Sequence, residues 1–277
     1  MTTPPRVPVM IYGTAWKEQE TERLVGLALA AGFRAIDTAN QRRHYFEAGV
    51  GAALARAYRD GVVKREDLFL QTKFTDLGGQ DQRLPYDPDA DPATQVRQSF
   101  ASSLEHLGTT TLDSYVLHGP TQRYGIGEKD RAIWRAMEEL AQAGKTRVLG
   151  VSNVDRLQLE AFCQGAAVPP SFVQNRCFAR AGWDRDVRAF CRERGIVYQG
   201  FSLLTANPHV VGHPEVARLA AARKLTPAQL TFAWTVGLGI LPLTGTTDPT
   251  HMSQDLAAIA LPLRPEETAV FEALSGR

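Results

Sequence analysis

Three titratable side chains of different kinds stand at corresponding places in this sequence. Asp37 ends the apolar run Phe33-Arg34-Ala35-Ile36, Lys73 ends Leu68-Phe69-Leu70-Gln71-Thr72, and His118 ends Tyr115-Val116-Leu117. A carboxylate at the mouth of an apolar strand is costly to desolvate unless a cation meets it. Three strands ending in an acid, a base and an imidazole imply one site at one rim of one sheet. Such a set is suited to proton transfer beside a developing negative charge. One reaction such a set could serve is addition to a carbonyl, which leaves an alkoxide needing a proton and, before it, a positive field. A free tyrosine, with a pKa of about 10, is a poor donor. An ammonium about 4 Å away contributes on the order of 4 kcal/mol at an effective dielectric of about 20, enough to lower that pKa by up to about three units. Asp37 would hold Lys73 charged, and His118 would position the carbonyl oxygen or share the proton relay. Taken alone, the three residues fit better a buried Asp37–Lys73 ion pair beside a satisfied core histidine. The surrounding motifs reverse that balance.

Holding three strand ends at one rim requires a parallel sheet, and the pattern supplies one. After a disordered-looking start, apolar runs at residues 7–12, 33–36, 68–73, 112–117, 147–151, 172–174, 196–201 and 239–243 read as strands. Between them, apolar residues recur at helical spacing over 18–31, 47–59, 93–106, 129–143, 157–163, 183–194 and 227–236, and a last helix covers 265–274. Thr226-Pro227 is a clean helix start, with a capping hydroxyl and Pro at the first helical position. Parallel strands need crossovers, and eight strand–helix units close into a barrel. The expected fold is therefore α/β, a single (β/α)8 TIM barrel over residues 1–277. Functional residues of such barrels gather at the C-terminal strand ends. Here those ends carry Thr14, Asp37, Lys73, His118, Ser152, Gln174, Ser202 and Thr244. Residues 76–92, with Gly78-Gly79, Pro85, Pro88 and Pro92, are too long for a mere connector, and Leu77, Leu84 and Tyr86 favour a packed cover.

Bulk properties narrow the function. At 277 residues and a net charge of +1, the chain has an ordinary globular composition. Its densest basic pieces, Arg42-Arg43 and Arg192-Glu193-Arg194, are small or already neutralised. Neither nucleic acid nor an anionic membrane is an expected partner. No stretch approaches the roughly 18 apolar residues that cross a bilayer, and no secretory pattern is evident. Cys163, Cys177 and Cys191 are an odd number at no metal-like spacing, which fits a reducing, cytoplasmic setting. The histidines form no ligand pair, so no metal is expected.

The motifs Gly13-Thr14-Ala15-Trp16, Ile36-Asp37-Thr38-Ala39, Thr72-Lys73, Leu117-His118, Gly144-Lys145, Gly150-Val151-Ser152-Asn153 and Gln174 occur in this order and at these separations. Together they resemble the aldo-keto reductases nearly from end to end. The resemblance implies reduction of aldehydes or ketones by a nicotinamide dinucleotide, with a catalytic tetrad of Asp37, Lys73, His118 and a tyrosine. The family's tyrosine usually lies five residues after the aspartate, where this chain has Arg42. Counting back from Glu47 puts His44 on that position, and Tyr45 is the only tyrosine nearby. Tyr45 is the expected acid, with His44 as the alternative.

No GxGxxG follows the first strand, so a Rossmann domain is not indicated. By resemblance, the dinucleotide would lie across the barrel mouth. Ser152, Asn153 and Gln174 would hold its carboxamide, Phe201 would stack on the nicotinamide, and Ser202 with Leu203 would follow the pyrophosphate. Gly13, Thr14 and Asp37 join the cofactor set at the near end, and Thr244, Thr246, Thr247, His251 and Asp255 at the adenosine end. The family's usual lysine and arginine at that end are Leu243 and His251 here. NADP(H) is the family default, and the loss of these cations keeps NAD(H) open. Trp16, His44, Tyr86 and Tyr124, with residues 76–92 and 122–124, would wall the pocket of a small carbonyl substrate. Two other readings share the fold: a cofactor-binding barrel acting as a redox-sensing or partner-binding subunit, and a lyase or isomerase forming a Schiff base on Lys73.

Overall fold

A computed structural model of the chain describes residues 7–276. The opening stretch expected to be disordered lies outside these residues. Eight parallel strands close into a barrel in chain order: β1 (Ile11–Gly13), β2 (Ala35–Asp37), β3 (Phe69–Phe74), β4 (Leu112–Leu117), β5 (Thr146–Ser152), β6 (Phe172–Arg176), β7 (Val197–Phe201) and β8 (Leu241–Thr244). The seam closes where Ile11 lies opposite Leu243 and Tyr12 opposite Thr244. Strands buried on both faces read as near-continuous apolar runs, as these do. One face of each strand packs outward on the helices through residues such as Tyr12, Ile36, Leu70, Tyr115, Leu149, Val173 and Tyr198. The other face points into the barrel. Its lower layer is apolar, with Ile11, Ala35, Phe69, Phe172 and Leu241. Above it lies a buried polar layer of Asp37, Gln71, Gln174 and Gln199.

The outer ring begins with α1 (Thr21–Ala31), α2 (Glu47–Arg59), α3 (Pro92–Leu107), α4 (Glu128–Gln142), α5 (Arg156–Cys163) and α6 (Arg185–Arg194). It continues with α7 (Pro208–Val211), α8 (Pro214–Ala222), α9 (Pro227–Gly237), α10 (Pro249–Ala258) and α11 (Pro265–Leu274). Their ends follow the chemistry of the chain. Gly32 takes the left-handed conformation that stops α1, and Asp91 accepts the first amides of α3. Thr226 and Gln229 form the reciprocal cap of α9.

Several expected boundaries shift for local reasons. β1 is shorter than 7–12, because only Ile11 to Gly13 find partners on β2 and β8. A 3-10 turn, Glu18–Glu20, precedes α1. Trp183 and Asp184 adopt positive φ, which delays α6 to Arg185. Gly239 is also left-handed, and Ile240 donates back to the Thr235 carbonyl, so β8 starts only at Leu241. Three helices were not anticipated: α7, α8 and α10. Each opens on Pro at its first turn, a start signal present in Asn207-Pro208, His213-Pro214 and Asp248-Pro249. Among the described residues, no helix is long and apolar enough to cross a membrane.

Candidate active site

The three titratable strand ends converge. Lys73 is fully buried, and its Nζ donates to Asp37 Oδ2 at 2.5 Å and to the Thr38 carbonyl at 2.9 Å. Burial alone would lower its pKa, but Asp37 and Tyr45 together hold it above the ordinary lysine value. The ammonium therefore stays charged. It lies 5.1 Å from the centre of the Tyr45 ring. The Tyr45 ring meets the His118 ring edge-on, with centres 5.9 Å apart.

Two protonation states depart from the simplest expectation. Tyr45 has a raised pKa, because burial outweighs the field of Lys73 and Asp37 adds to the rise. Asp37 neutralises most of the lysine charge, so Tyr45 feels a dipole rather than a bare cation. His118 is pushed down to about 3 by burial, then by Lys73 and His44. A neutral imidazole remains at any working pH. Its Nδ1 is 2.7 Å from the Thr75 hydroxyl, and its Nε2 has no protein partner among the described residues. If Thr75 donates to Nδ1, the ring proton sits on Nε2, free for a ligand.

His44 is placed elsewhere. Its ring lies against Trp16, with centres 3.7 Å apart, at the rim of the cleft. The loop is pinned by Tyr45 N–H to the Gln41 carbonyl and Trp16 N–H to the His44 carbonyl. These bonds bring Tyr45 to Lys73 and leave His44 outside.

A cleft of about 770 Å³ runs from Trp16, His44, Tyr45 and His118 past Ser152, Asn153 and Gln174 to Phe201, Ser202 and Leu203. It continues to Gly13, Thr244, Thr246, His251 and Asp255. Asn153 and Ser202 both hold left-handed backbone at strand ends, turning the chain sharply around the mouth. Ser152 Oγ donates to the Gln174 carbonyl, and Asn153 Nδ2 to the His118 carbonyl at 2.8 Å. Gln174 Nε2 donates to Asp37 Oδ1 at 3.1 Å, while its Oε1 accepts nothing from the protein among the described residues. At the far end, Thr244 Oγ1 donates to Asp255 Oδ2 at 2.8 Å, and burial raises Asp255 to about 6.

Four sequence-derived candidates fall outside this cleft. Tyr86 is a core residue: it packs on Phe74, and its hydroxyl donates to the Thr75 carbonyl at 2.9 Å. The whole 76–92 segment folds back, with Gln80 bonded to the Asn40 carbonyl and Lys129 paired with Asp76. Tyr124 is exposed beside Arg123, because Gln158 ties the carbonyls of Gln122 and Gly125 toward α5. Thr14 is buried, spending its hydroxyl on the Asp37 carbonyl. Thr247 is exposed beyond the cleft edge.

Other residues escaped notice in the sequence. Lys17 Nζ reaches across the barrel seam to the Gly245 carbonyl at 2.6 Å, and burial lowers its pKa to about 8. Arg176 stands at the cleft edge, its guanidinium 5.4 Å from the Phe178 ring. Gln71 and Gln199 sit beneath the floor. Strand alternation could have found three of these, since Gln71, Gln199 and Arg176 are each two residues from Lys73, Phe201 and Gln174. Among the described residues, no group of three or more His, Cys, Asp or Glu could hold a metal ion.

Residues 10–207 match the model of the aldo/keto reductase family. The chain is 30% identical over 268 residues to aldo-keto reductase family 4 member C11 of Arabidopsis thaliana, covering 87% of this chain and 78% of that protein. It is 29% identical over 271 residues to an aldo-keto reductase of Mycolicibacterium vanbaalenii, covering 97% and 88%. Among solved structures, an aldo-keto reductase from a deep-sea metagenome superposes with a TM-score of 0.83 at 21% identity, over 98% of this chain and 92% of that one. The Bombyx mori aldo-keto reductase in complex with NADP gives 0.81 at 23% identity, over 98% and 90%.

Proposed function

The chain belongs to the aldo/keto reductase family, and from that premise we propose that it reduces small aldehydes or ketones with NADP(H), or less readily NAD(H), using Tyr45 as proton donor. It is an NAD(P)-dependent, carbonyl-reducing oxidoreductase of that family. The observation that carries the assignment of Tyr45 is its contact with the buried Lys73–Asp37 pair beside His118, at the floor of the cleft.

The residues fit a nicotinamide dinucleotide. Gln174 Oε1 and the Asn153 amide oxygen offer acceptors for a carboxamide, Phe201 offers a ring face, and the cleft continues from them to Thr246 and His251. Arg176, at the cleft edge, would supply a cation for its phosphates. Thr246, His251 and Gln254 border the end where a 2′-phosphate would lie. When bound, the reduced dinucleotide supplies hydride to the carbonyl carbon.

The side chains do the rest. Neutral His118, through Nε2–H, orients the carbonyl oxygen toward Tyr45. The raised pKa keeps Tyr45 protonated until charge develops on that oxygen, and its phenolic proton then passes to it. Lys73 stabilises the phenolate left behind, and Asp37 keeps the ammonium in place. Trp16 and His44 wall the substrate end. Nothing favours a Schiff base on Lys73, which is charged and engaged on two sides.

Turnover of a carbonyl panel with NADPH and NADH tests the activity, and two variants test the donor. Tyr45→Phe removes one hydroxyl and little volume, so NADPH affinity should hold while kcat falls by about 10²- to 10⁴-fold. His44→Ala should change KM more than kcat. Parental turnover in Tyr45→Phe together with an inactive His44→Ala would transfer the role to the histidine.

A further inference from the structure

Beneath the cleft, four side chains close a ring of hydrogen bonds. Gln71 Nε2 donates to Asp37 Oδ1 at 2.7 Å and to Gln199 Oε1 at 2.9 Å. Gln174 Nε2 donates to the same two oxygens, at 3.1 and 2.9 Å. Gln199 Nε2 returns a bond to Gln71 Oε1 at 3.0 Å. All four residues are buried.

The amide orientations follow from chemistry. An ionised carboxylate only accepts, so Asp37 forces both Gln71 and Gln174 to present nitrogen. Each of those nitrogens has a second N–H, and Gln199 Oε1 takes both. That leaves Gln199 Nε2 to face Gln71 Oε1, as found. One acceptor in the ring is uncommitted: Gln174 Oε1, on a residue that lines the cleft. A free glutamine could rotate its amide by a half-turn and present nitrogen to a ligand. This one cannot without breaking two bonds and turning its oxygen toward Asp37.

We infer that Gln71 and Gln199 are positioning residues that, together with Asp37, hold Gln174 with its oxygen toward the cleft, so that the site favours an N–H donor from the cofactor's carboxamide. The inference rests on the reductase reading and adds the device that makes the floor selective. Gln71 and Gln199 touch no ligand; they act through Gln174 and Asp37. The charged member of the ring, Asp37 on β2, is paired with Lys73 on β3.

The test compares binding of NADPH with its reduced 3-acetylpyridine analogue, which keeps the ring carbonyl and lacks the amide N–H, by fluorescence titration. The parent should bind NADPH roughly tenfold more tightly, the worth of one hydrogen bond. The double variant Gln71→Leu/Gln199→Leu removes the two amides that share the holding of Gln174 with Asp37. It should narrow the preference to about threefold, because Gln174 then keeps only its bond to Asp37. Gln199→Glu is the second arm. While protonated, the introduced carboxyl accepts from both nitrogens and donates to Gln71 Oε1, reproducing the ring. Once ionised it still accepts from both nitrogens, so its preference should match the parent at acidic and at alkaline pH.

A folded double variant that keeps the full tenfold preference, or a Gln199→Glu variant that loses it, overturns the inference. If the double variant does not fold, Gln199→Glu decides alone. A parent that binds both dinucleotides equally also overturns it, and leaves the reductase reading standing. A parent that binds neither overturns both.

Discussion

At Asp255 burial and hydrogen bonding pull in opposite directions, and burial wins. The carboxyl is raised to about 6 from an ordinary 3.8, although the Thr244 hydroxyl favours its ionised form. The folded state thus holds this proton more tightly than the unfolded chain does. Stability from the group is fully present below about pH 4 and is lost as pH rises through about 6, to a total of about 3 kcal/mol. Asp255→Asn keeps an acceptor for Thr244 and removes the charge. The expected outcome is a melting temperature several degrees above the parent at pH 8, with a smaller gap at pH 5. The same change should tighten NADPH a fewfold and leave NADH level, since the lost charge stands where a 2′-phosphate would lie. A thermal gain equal at both pH values, or equal tightening of both cofactors, would show that the carboxylate is not what limits this end. Tyr45 poses the same contest nearer the chemistry. There burial keeps the donor protonated, and the neutralised lysine acts mainly after the proton has gone.

The elements that hold these residues meet closely at α2 and α3. A Cβ built on Gly51 of α2 runs into the His106 carbonyl and Leu107 Cα of α3, which are backbone and cannot swing aside. Glu47, at the start of α2, accepts from Thr72, the neighbour of Lys73 on β3, at 2.5 Å and from Ser103 of α3 at 3.1 Å. Gly51→Ala should therefore cost about 2 kcal/mol and lower kcat, because α2 starts just after the Tyr45 loop. Gly26→Ala is the control. Its Cβ meets nothing within 4 Å in the middle of α1, so stability should rise by up to about 1 kcal/mol. Melting curves of the two variants decide the matter, and a Gly51→Ala protein as stable as the parent would mean the helices part easily. Such helix pairs and the strand order were legible in the sequence, because strands buried on both faces and helices with one apolar stripe repeat in strict alternation. The strand ends were legible too, since Asp37, Lys73 and His118 each break an apolar run. What stayed hidden depends on contact rather than pattern. An aromatic on a long segment, as Tyr86 is, can wall a pocket or fill a core with equal ease. An amide inside an apolar run, as Gln71 and Gln199 are, shows its purpose only beside the other amides. The lengthened loop left Tyr45 and His44 as neighbours on paper, and only its two backbone bonds separate them.

Across the whole molecule, the two rims of the barrel divide the work. At the lower rim, Asp113 accepts from the Leu70 amide and pairs with Arg65 at 2.8 Å and Arg147 at 3.3 Å, binding β3, β4 and β5 together far from the cleft. At the upper rim the cleft crosses the seam between β8 and β1. There the closing bonds include Lys17 to the Gly245 carbonyl and the Tyr12 hydroxyl to the Thr246 carbonyl. A dinucleotide lying along that cleft would touch both sides of the seam and act as a further cross-link. At a hundredfold over its Kd it adds about 2.7 kcal/mol to the stability of the folded chain, so the melting temperature should rise with NADPH concentration. Hydrogen exchange locates the effect, because loops that open locally respond to what touches them rather than to global stability. Slower exchange is expected over residues 201–207 and 244–255 and in the Tyr45 loop, with residues 76–92 and 120–127 unchanged. If exchange over 120–127 slowed as well, that segment would join the wall from which Tyr124 is now turned away. If 201–207 and 244–255 did not slow while the melting temperature still rose, the dinucleotide would be binding somewhere other than the cleft.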